Sequence, residues 1–116
     1  MFTIIFPVLN ERLRLESGVT RTVEYLQSIA FEDYEIIIVD NGSEDETPQI
    51  AENLCKKYDK VKYERINVRG VGAAFRRGVE VSHGDVVGYM DIDLSTNIRH
   101  LGEAIVKDPK ILVLDD

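Results

Sequence analysis

The sequence predicts an α/β fold: a mostly parallel sheet with helices on both faces, built by β-α-β alternation. Three observations predict it. Short apolar runs rich in β-branched residues recur at 2–6, 35–40, 86–90 and 111–114, and a partly alternating strand segment lies at 61–66. Between them lie segments whose apolar residues fall three and four apart, the spacing of an amphipathic helix. The run Ile36-Ile37-Ile38-Val39 shows no alternation, which marks a strand buried on both faces. The 116 residues suffice for one domain, 1–116, with a single core.

Taken in order, the first strand begins at Phe2 and is stopped by Pro7, which has no N–H to give to a ladder. Ser17 is placed to cap a helix that turns Val19, Val23, Leu26 and Ala30 inward. The second strand ends at Asp40, where Asn41-Gly42-Ser43 breaks it. A second helix starts near Thr47, with Pro48 in its first turn and Ile50, Ala51, Leu54, Cys55 and Tyr58 on its apolar side. After a third strand, Asn67 to Gly70 form a turn. A slim helix rich in Gly and Ala then runs to about Ser82, and His83-Gly84-Asp85 ends it. Val86 to Met90 make the fourth strand. Thr96 or Asn97 caps a further helix through Leu101, Ala104 and Ile105 to Val106, and Ile111 to Leu114 form a fifth strand.

Charge and composition narrow the function. A formal net charge of −7 leaves no basic face for a nucleic-acid backbone. An anionic ligand needs local help, from a metal, a helix N-terminus or a placed arginine. Cys55 is the only cysteine, so no intramolecular disulfide forms, which fits a reducing compartment. No apolar run approaches the ~18 residues of a membrane span. The N-terminus lacks the basic start of a signal peptide, and the expectation is a cytoplasmic location. His83 and His100 have no Cys or His partners at metal-ligand spacing, and no set of residues suggests a covalent nucleophile.

Open α/β sheets bind ligands outside the carboxyl ends of their strands. Four such ends are polar or turn-forming here: Pro7-Val8-Leu9-Asn10-Glu11, Asp40-Asn41-Gly42-Ser43, Asn67-Val68-Arg69-Gly70 and Asp91-Ile92-Asp93. All are expected along one rim. A strict strand would point Asp91 and Asp93 the same way. Two carboxylates held close need a cation, a proton or open water between them, and a divalent metal suits a ligand rim. Asp40 reads either as an Asx-turn that shapes its loop or as an acceptor for a ligand's N–H and hydroxyl groups. Glu11 reads as an exposed carboxylate or as a ribose acceptor. Arg69, in the rim turn, is the arginine placed for a diphosphate, whereas Arg76 and Arg77 sit in mid-helix. The glycines after it either let the helix pack tightly on the sheet or let backbone approach a ligand.

With those residues in hand, the chain resembles the N-terminal, nucleotide-sugar-binding half of inverting family 2 glycosyltransferases, which have the Rossmann-like GT-A fold. Pro7-Val8-Leu9-Asn10-Glu11 is similar to the family's Pro-x-x-Asn-Glu. The segment 36–47 resembles its Ile-Val-Asp-Asp-Gly-Ser-x-Asp-x-Thr. Residues 67–85 resemble its Asn, Gly, Ala and Gly-Asp series, and Asp91-Ile92-Asp93 its metal-binding Asp-x-Asp. The form Met90-Asp91-Ile92-Asp93-Leu94-Ser95 is most similar to the polyprenyl-phosphate branch.

The resemblance implies a UDP- or GDP-sugar donor, Mn²⁺ or Mg²⁺ as cofactor, and a lipid-linked phosphate as one acceptor, with the enzyme then peripheral at a membrane. It implies that Asp40 contacts the base and that Pro7, Leu9, Asn10 and Glu11 line the base and ribose site. Arg69, Gly70 and Ile92 fall on the donor side, Asp91 on the ribose or a metal-bound water, and Asp93 on the metal. Two departures stand out: Asn41 replaces the second Asp of the Asp-Asp pair, and Val71 replaces a common Lys between the glycines. Only 23 residues follow Asp93, so the family's acceptor half has no counterpart. A fragment of a longer enzyme, a truncated product, and a donor-binding module completed by a partner or a second copy all stay open. One rival is a donor-binding or vestigial domain without transfer. Another is a dinucleotide-binding oxidoreductase, whose fingerprint Gly70-Val71-Gly72 matches in part but Phe75 at the third glycine position opposes. An acidic-pocket receiver lacks a suitable later lysine, since only Lys107 and Lys110 follow the fourth strand.

Overall fold

The computed structural model describes residues 1–68, 70–92 and 111–114. The elements are β1 (Phe2–Val8), α1 (Leu15–Ser28), β2 (Tyr34–Asp40), α2 (Thr47–Lys57), β3 (Val61–Arg65), α3 (Val71–Val81), β4 (Val86–Met90) and β5 (Ile111–Leu114). They form one sheet in the order β3-β2-β1-β4-β5. Every neighbouring pair is parallel. The order runs outward in one direction from β1 to β3 and then restarts on the other side with β4. The switch point therefore lies between β1 and β4, where such sheets open a crevice for ligand.

Alternation along the strands assigns the two faces. Phe2, Ile4, Phe6 and Val8 of β1 and Tyr34, Ile36 and Ile38 of β2 share a cluster with Leu15, Val19, Val23 and Leu26 of α1 and Ala51 and Leu54 of α2. Ile5, Ile37, Val39, Val87 and Tyr89 form a second cluster, capped by Ala74 of α3. Helices thus cover both faces. All seven residues of β2 are buried, as its unbroken apolar run predicts. Each fully buried Ile contributes about 1.5–3 kcal/mol by leaving water.

Three local expectations are corrected. Pro7 does not stop β1, which continues to Val8. The Phe2 N–H points toward β2, donating to the Asp33 carbonyl. Alternation sends the Pro7 nitrogen to the β4 side, beyond the last β1–β4 pair at Ile5 and Tyr89, so no ladder bond is lost. Ser17 is not the cap of α1. The helix starts earlier, at Leu15, because the Glu11 carbonyl accepts the N–H groups of Arg14 and Leu15. Ala30 lies past the helix end, exposed, with φ 56°. The helix expected from Thr96 or Asn97 to Val106 lies outside the described residues.

The glycines of the slim helix divide between two roles. A Cβ on Gly78 would come within 2.5 Å of Ile5 Cδ1, so Gly78 lets α3 lie close on the sheet. Gly70 and Gly72 have nothing within 4 Å of where a Cβ would sit. Packing does not require them.

Candidate functional site

Because the strands are parallel, the loops after β1, β2, β3 and β4 emerge at the same edge of the sheet, as expected. The first two are cross-tied. The Asn10 N–H donates to Ser43 Oγ at 2.8 Å, the Glu44 N–H to Asn10 Oδ1 at 2.8 Å, and the Glu11 N–H to Thr47 Oγ1 at 2.9 Å. Ser43 and Thr47 are buried, so these bonds are sheltered from competing water. They fix the β1–α1 loop against the start of α2. Asn10 adopts φ 52°, a left-handed conformation that Asn tolerates well.

Asp40 organises the β2–α2 loop. Its Oδ1 accepts the N–H groups of Gly42 at 3.1 Å and Ser43 at 2.8 Å, an Asx-turn. Its Oδ2 accepts the Tyr63 hydroxyl at 2.6 Å and Arg65 Nη1 at 3.4 Å. Arg65 Nη2 also donates to the Ser43 carbonyl at 3.0 Å. Burial, then the bond to Asp40, pushes the Tyr63 hydroxyl up to about 12. The side chain of Asp40 has no exposed surface, and four donors already occupy its two oxygens. A ligand base that is to reach this carboxylate has to displace Tyr63 or Arg65.

Tyr63 and Arg65 were not singled out in the sequence. The alternation of β3 puts them on one face, but only the pairing of Asp40 with Arg65 reveals what that face meets. That register is not written in any local motif.

The remaining expected residues divide as follows. Pro7 is half-buried, and Leu9 is 37% exposed at the rim. The Glu11 carboxylate is held by Arg14, with Nε at 2.9 Å and Nη2 at 2.6 Å. Gly70 heads α3 with φ 125°, a backbone region open to glycine. Asp91 is exposed just past β4. The Ile92 side chain is buried, and the Gly18 Cα has room for no Cβ because Ile92 Cδ1 and O would lie 2.7 Å from it. Ile92 anchors the β4 end to α1. Arg69 and Asp93 lie outside the described residues.

Strand β4 ends at Met90, so strand alternation does not reach the Asp91–Asp93 pair. Among the described residues no group of three His, Cys, Asp or Glu gathers as a metal cage. Asp91 stands exposed past the end of β4, beside the switch point.

A parallel sheet with this strand order and its loops joined at one edge agrees with the direct match over residues 3–114 to the family described as glycosyl transferase family 2. The chain belongs to that family. This family 2 chain is 36% identical over 105 residues to a dolichol-phosphate mannosyltransferase of Pyrococcus furiosus, covering 90% of the chain and 28% of that protein. Its fold matches a mannosyltransferase of Pyrobaculum calidifontis solved with GDP-Man and Mn²⁺, with TM-score 0.74 and 22% identity over 93% of this chain and 32% of that one. It also matches glucosyl-3-phosphoglycerate synthase of Mycobacterium tuberculosis solved with Mn²⁺, UDP and phosphoglyceric acid, with TM-score 0.61 and 26% identity over 80% of this chain and 33% of that one. The chain spans between 17% and 31% of the length of such curated relatives.

Proposed function

We propose that this family 2 chain binds the donor for sugar transfer, a UDP- or GDP-sugar, together with Mn²⁺ or Mg²⁺. The observation that carries this reading is the convergence of four parallel strand ends on one rim at the sheet's switch point. The Mn²⁺ and UDP bound to the Mycobacterium relative support the same ligand classes. Held there, a divalent metal would supply positive charge to neutralise a nucleoside-diphosphate leaving group.

The chain's own residues divide the work. Asp93 and Asp91 hold the metal. The first turn of α3, with open space at Gly70 and Gly72, lets backbone N–H groups approach a diphosphate, aided by Arg69. Pro7, Leu9, Asn10 and Glu11 flank the base and ribose. Asp40 shapes that pocket from beneath. The name of the Pyrococcus relative supports a polyprenyl phosphate as acceptor. Such an acceptor is already anionic, so the transfer needs no general base to deprotonate a hydroxyl. It would also bring the rim to a membrane surface; no described helix is itself long and apolar enough to cross one.

The test is a thermal-shift titration with UDP, GDP and NAD, each with and without Mg²⁺. At a hundred times Kd a ligand stabilises by about 2.7 kcal/mol, a readily measured rise in melting temperature. The expected result is stabilisation by UDP or GDP that needs the metal and is abolished by Asp93→Ala. Undiminished binding with a chelator present refutes the metal site. Tight NAD binding without metal refutes the donor assignment.

A further inference from the structure

We propose that Asn41, standing where the family motif has a second aspartate, is a positioning residue that clamps the β3–α3 loop in its donor-binding shape. The inference rests on the donor-binding reading. Asn41 is buried, 7% exposed, and its backbone N–H donates to the Val8 carbonyl at 2.9 Å, which seats it between the ends of β1 and β3. Two carbonyl oxygens face its side-chain amide. The atom opposite them must be a donor, which assigns the nitrogen to that side. So oriented, Nδ2 donates to Val68 O at 3.1 Å and to Gly70 O at 3.3 Å. One side chain thus holds two carbonyls that flank the rim turn, including that of the glycine at the head of α3.

Both bonds require a donor. An ionised carboxylate has none, so an aspartate would set a charged oxygen against two carbonyl oxygens, close to the buried Asp40. The Gly70 carbonyl also accepts the Ala74 N–H at 3.2 Å, so the amide of Asn41 and the first turn of α3 meet on one oxygen. Asn41 therefore acts on the nucleotide through the loop.

The other ionisable groups at this corner are Asp40, Tyr63 and Arg65. Tyr63 and Arg65 are both raised above their ordinary values and stay protonated through the neutral range. Asp40 stands in wild type and variants alike, and its negative charge beside a carboxyl at 41 adds to the repulsion that favours that carboxyl's protonated form.

The experiment compares wild type, Asn41→Asp and Asn41→Ala, using Mg²⁺ with UDP or GDP as probe. Asn41→Asp is expected to bind about tenfold more weakly at about pH 8. The deficit should shrink toward about pH 5.5, as the crowded carboxyl takes up a proton and regains one donor. Asn41→Ala, which has no donor at any pH, should show a deficit that does not change. In the free proteins, amide exchange of the 68–74 segment should be faster in both variants at high pH and slowed again at low pH in Asn41→Asp alone, after correction for intrinsic rates. Wild-type affinity and exchange in Asn41→Asp, or equal and pH-independent effects of the two variants, overturn the clamp. If the wild type binds no nucleotide, the donor-binding reading fails on its own, and the exchange comparison still decides whether the clamp exists.

Discussion

Asp40 shows how one buried side chain can set the shape of a whole loop. Four donors from two elements converge on its two oxygens, and together they set the turn that presents Asn41, Gly42 and Ser43. Asp40→Asn keeps the shape but turns an amide group toward donors that need an acceptor. The expected cost is about 2 kcal/mol of folding stability, read by urea denaturation, with weaker nucleotide binding as a consequence. The Asx-turn was legible from Asp40-Asn41-Gly42-Ser43, because turn chemistry is local. The burial of the carboxylate was not, because it depends on Tyr63 and Arg65, which reach it only through the pairing of two strands.

At the scale of the element, α3 separates two reasons for glycine. Gly78→Ala is expected to destabilise by about 1–2 kcal/mol. Overpacking against Ile5 costs about 1–3 kcal/mol, and the better helix propensity of Ala returns up to ~1 kcal/mol. Gly72→Ala meets open space, so its folding stability should hold or rise by up to ~1 kcal/mol. If the diphosphate approaches the first turn, that same variant should bind UDP or GDP more weakly. Denaturation and thermal-shift measurements on the two variants should move oppositely in this way. The sequence placed both glycines on one slim helix but could not tell them apart, since only the helix–sheet distance does so. The start of α1 was misplaced for a related reason: its first amides are satisfied by the Glu11 carbonyl, and backbone acceptors leave no mark on the sequence. The buried strand β2 and the run Val86 to Met90 were legible because burial writes itself into composition.

The sheet as a whole is joined at its other end by a buried carboxylate. Glu35 of β2 accepts the Thr3 hydroxyl at 2.7 Å, Lys62 Nζ at 3.1 Å and the His83 N–H, and its Oε1 lies 3.2 Å from His83 Nδ1. These partners come from β1, β3 and the approach to β4. Burial opposes the charged form, but the His83 and Thr3 bonds, then Lys62, outweigh it and hold the carboxyl down at about 2. In the unfolded chain a glutamate titrates near ~4.3. A depressed folded value means stability that is present above that range and lost as pH falls from ~4.3 toward about 2. Acid unfolding followed by circular dichroism should show this loss. Glu35→Gln should lower stability at neutral pH and flatten the acid slope. The sequence offers Glu35 only as the edge of an apolar run, and its partners are set by strand pairing that no local pattern records.

The strand order also has a consequence in time. Phe2 pairs with Tyr34 on one side and with Val86 on the other. As the chain leaves the ribosome, β1 finds its first neighbour early and its second only after three helices have been made. Until then the middle strand of the finished sheet is an edge, with apolar residues on both faces and backbone groups unpaired. Non-local parallel pairing of this kind folds slowly and leaves that edge exposed to other chains. The seam between β1 and β4 is thus among the last to close, and a nascent chain halted before β4 would carry a sticky strand in place of a crevice.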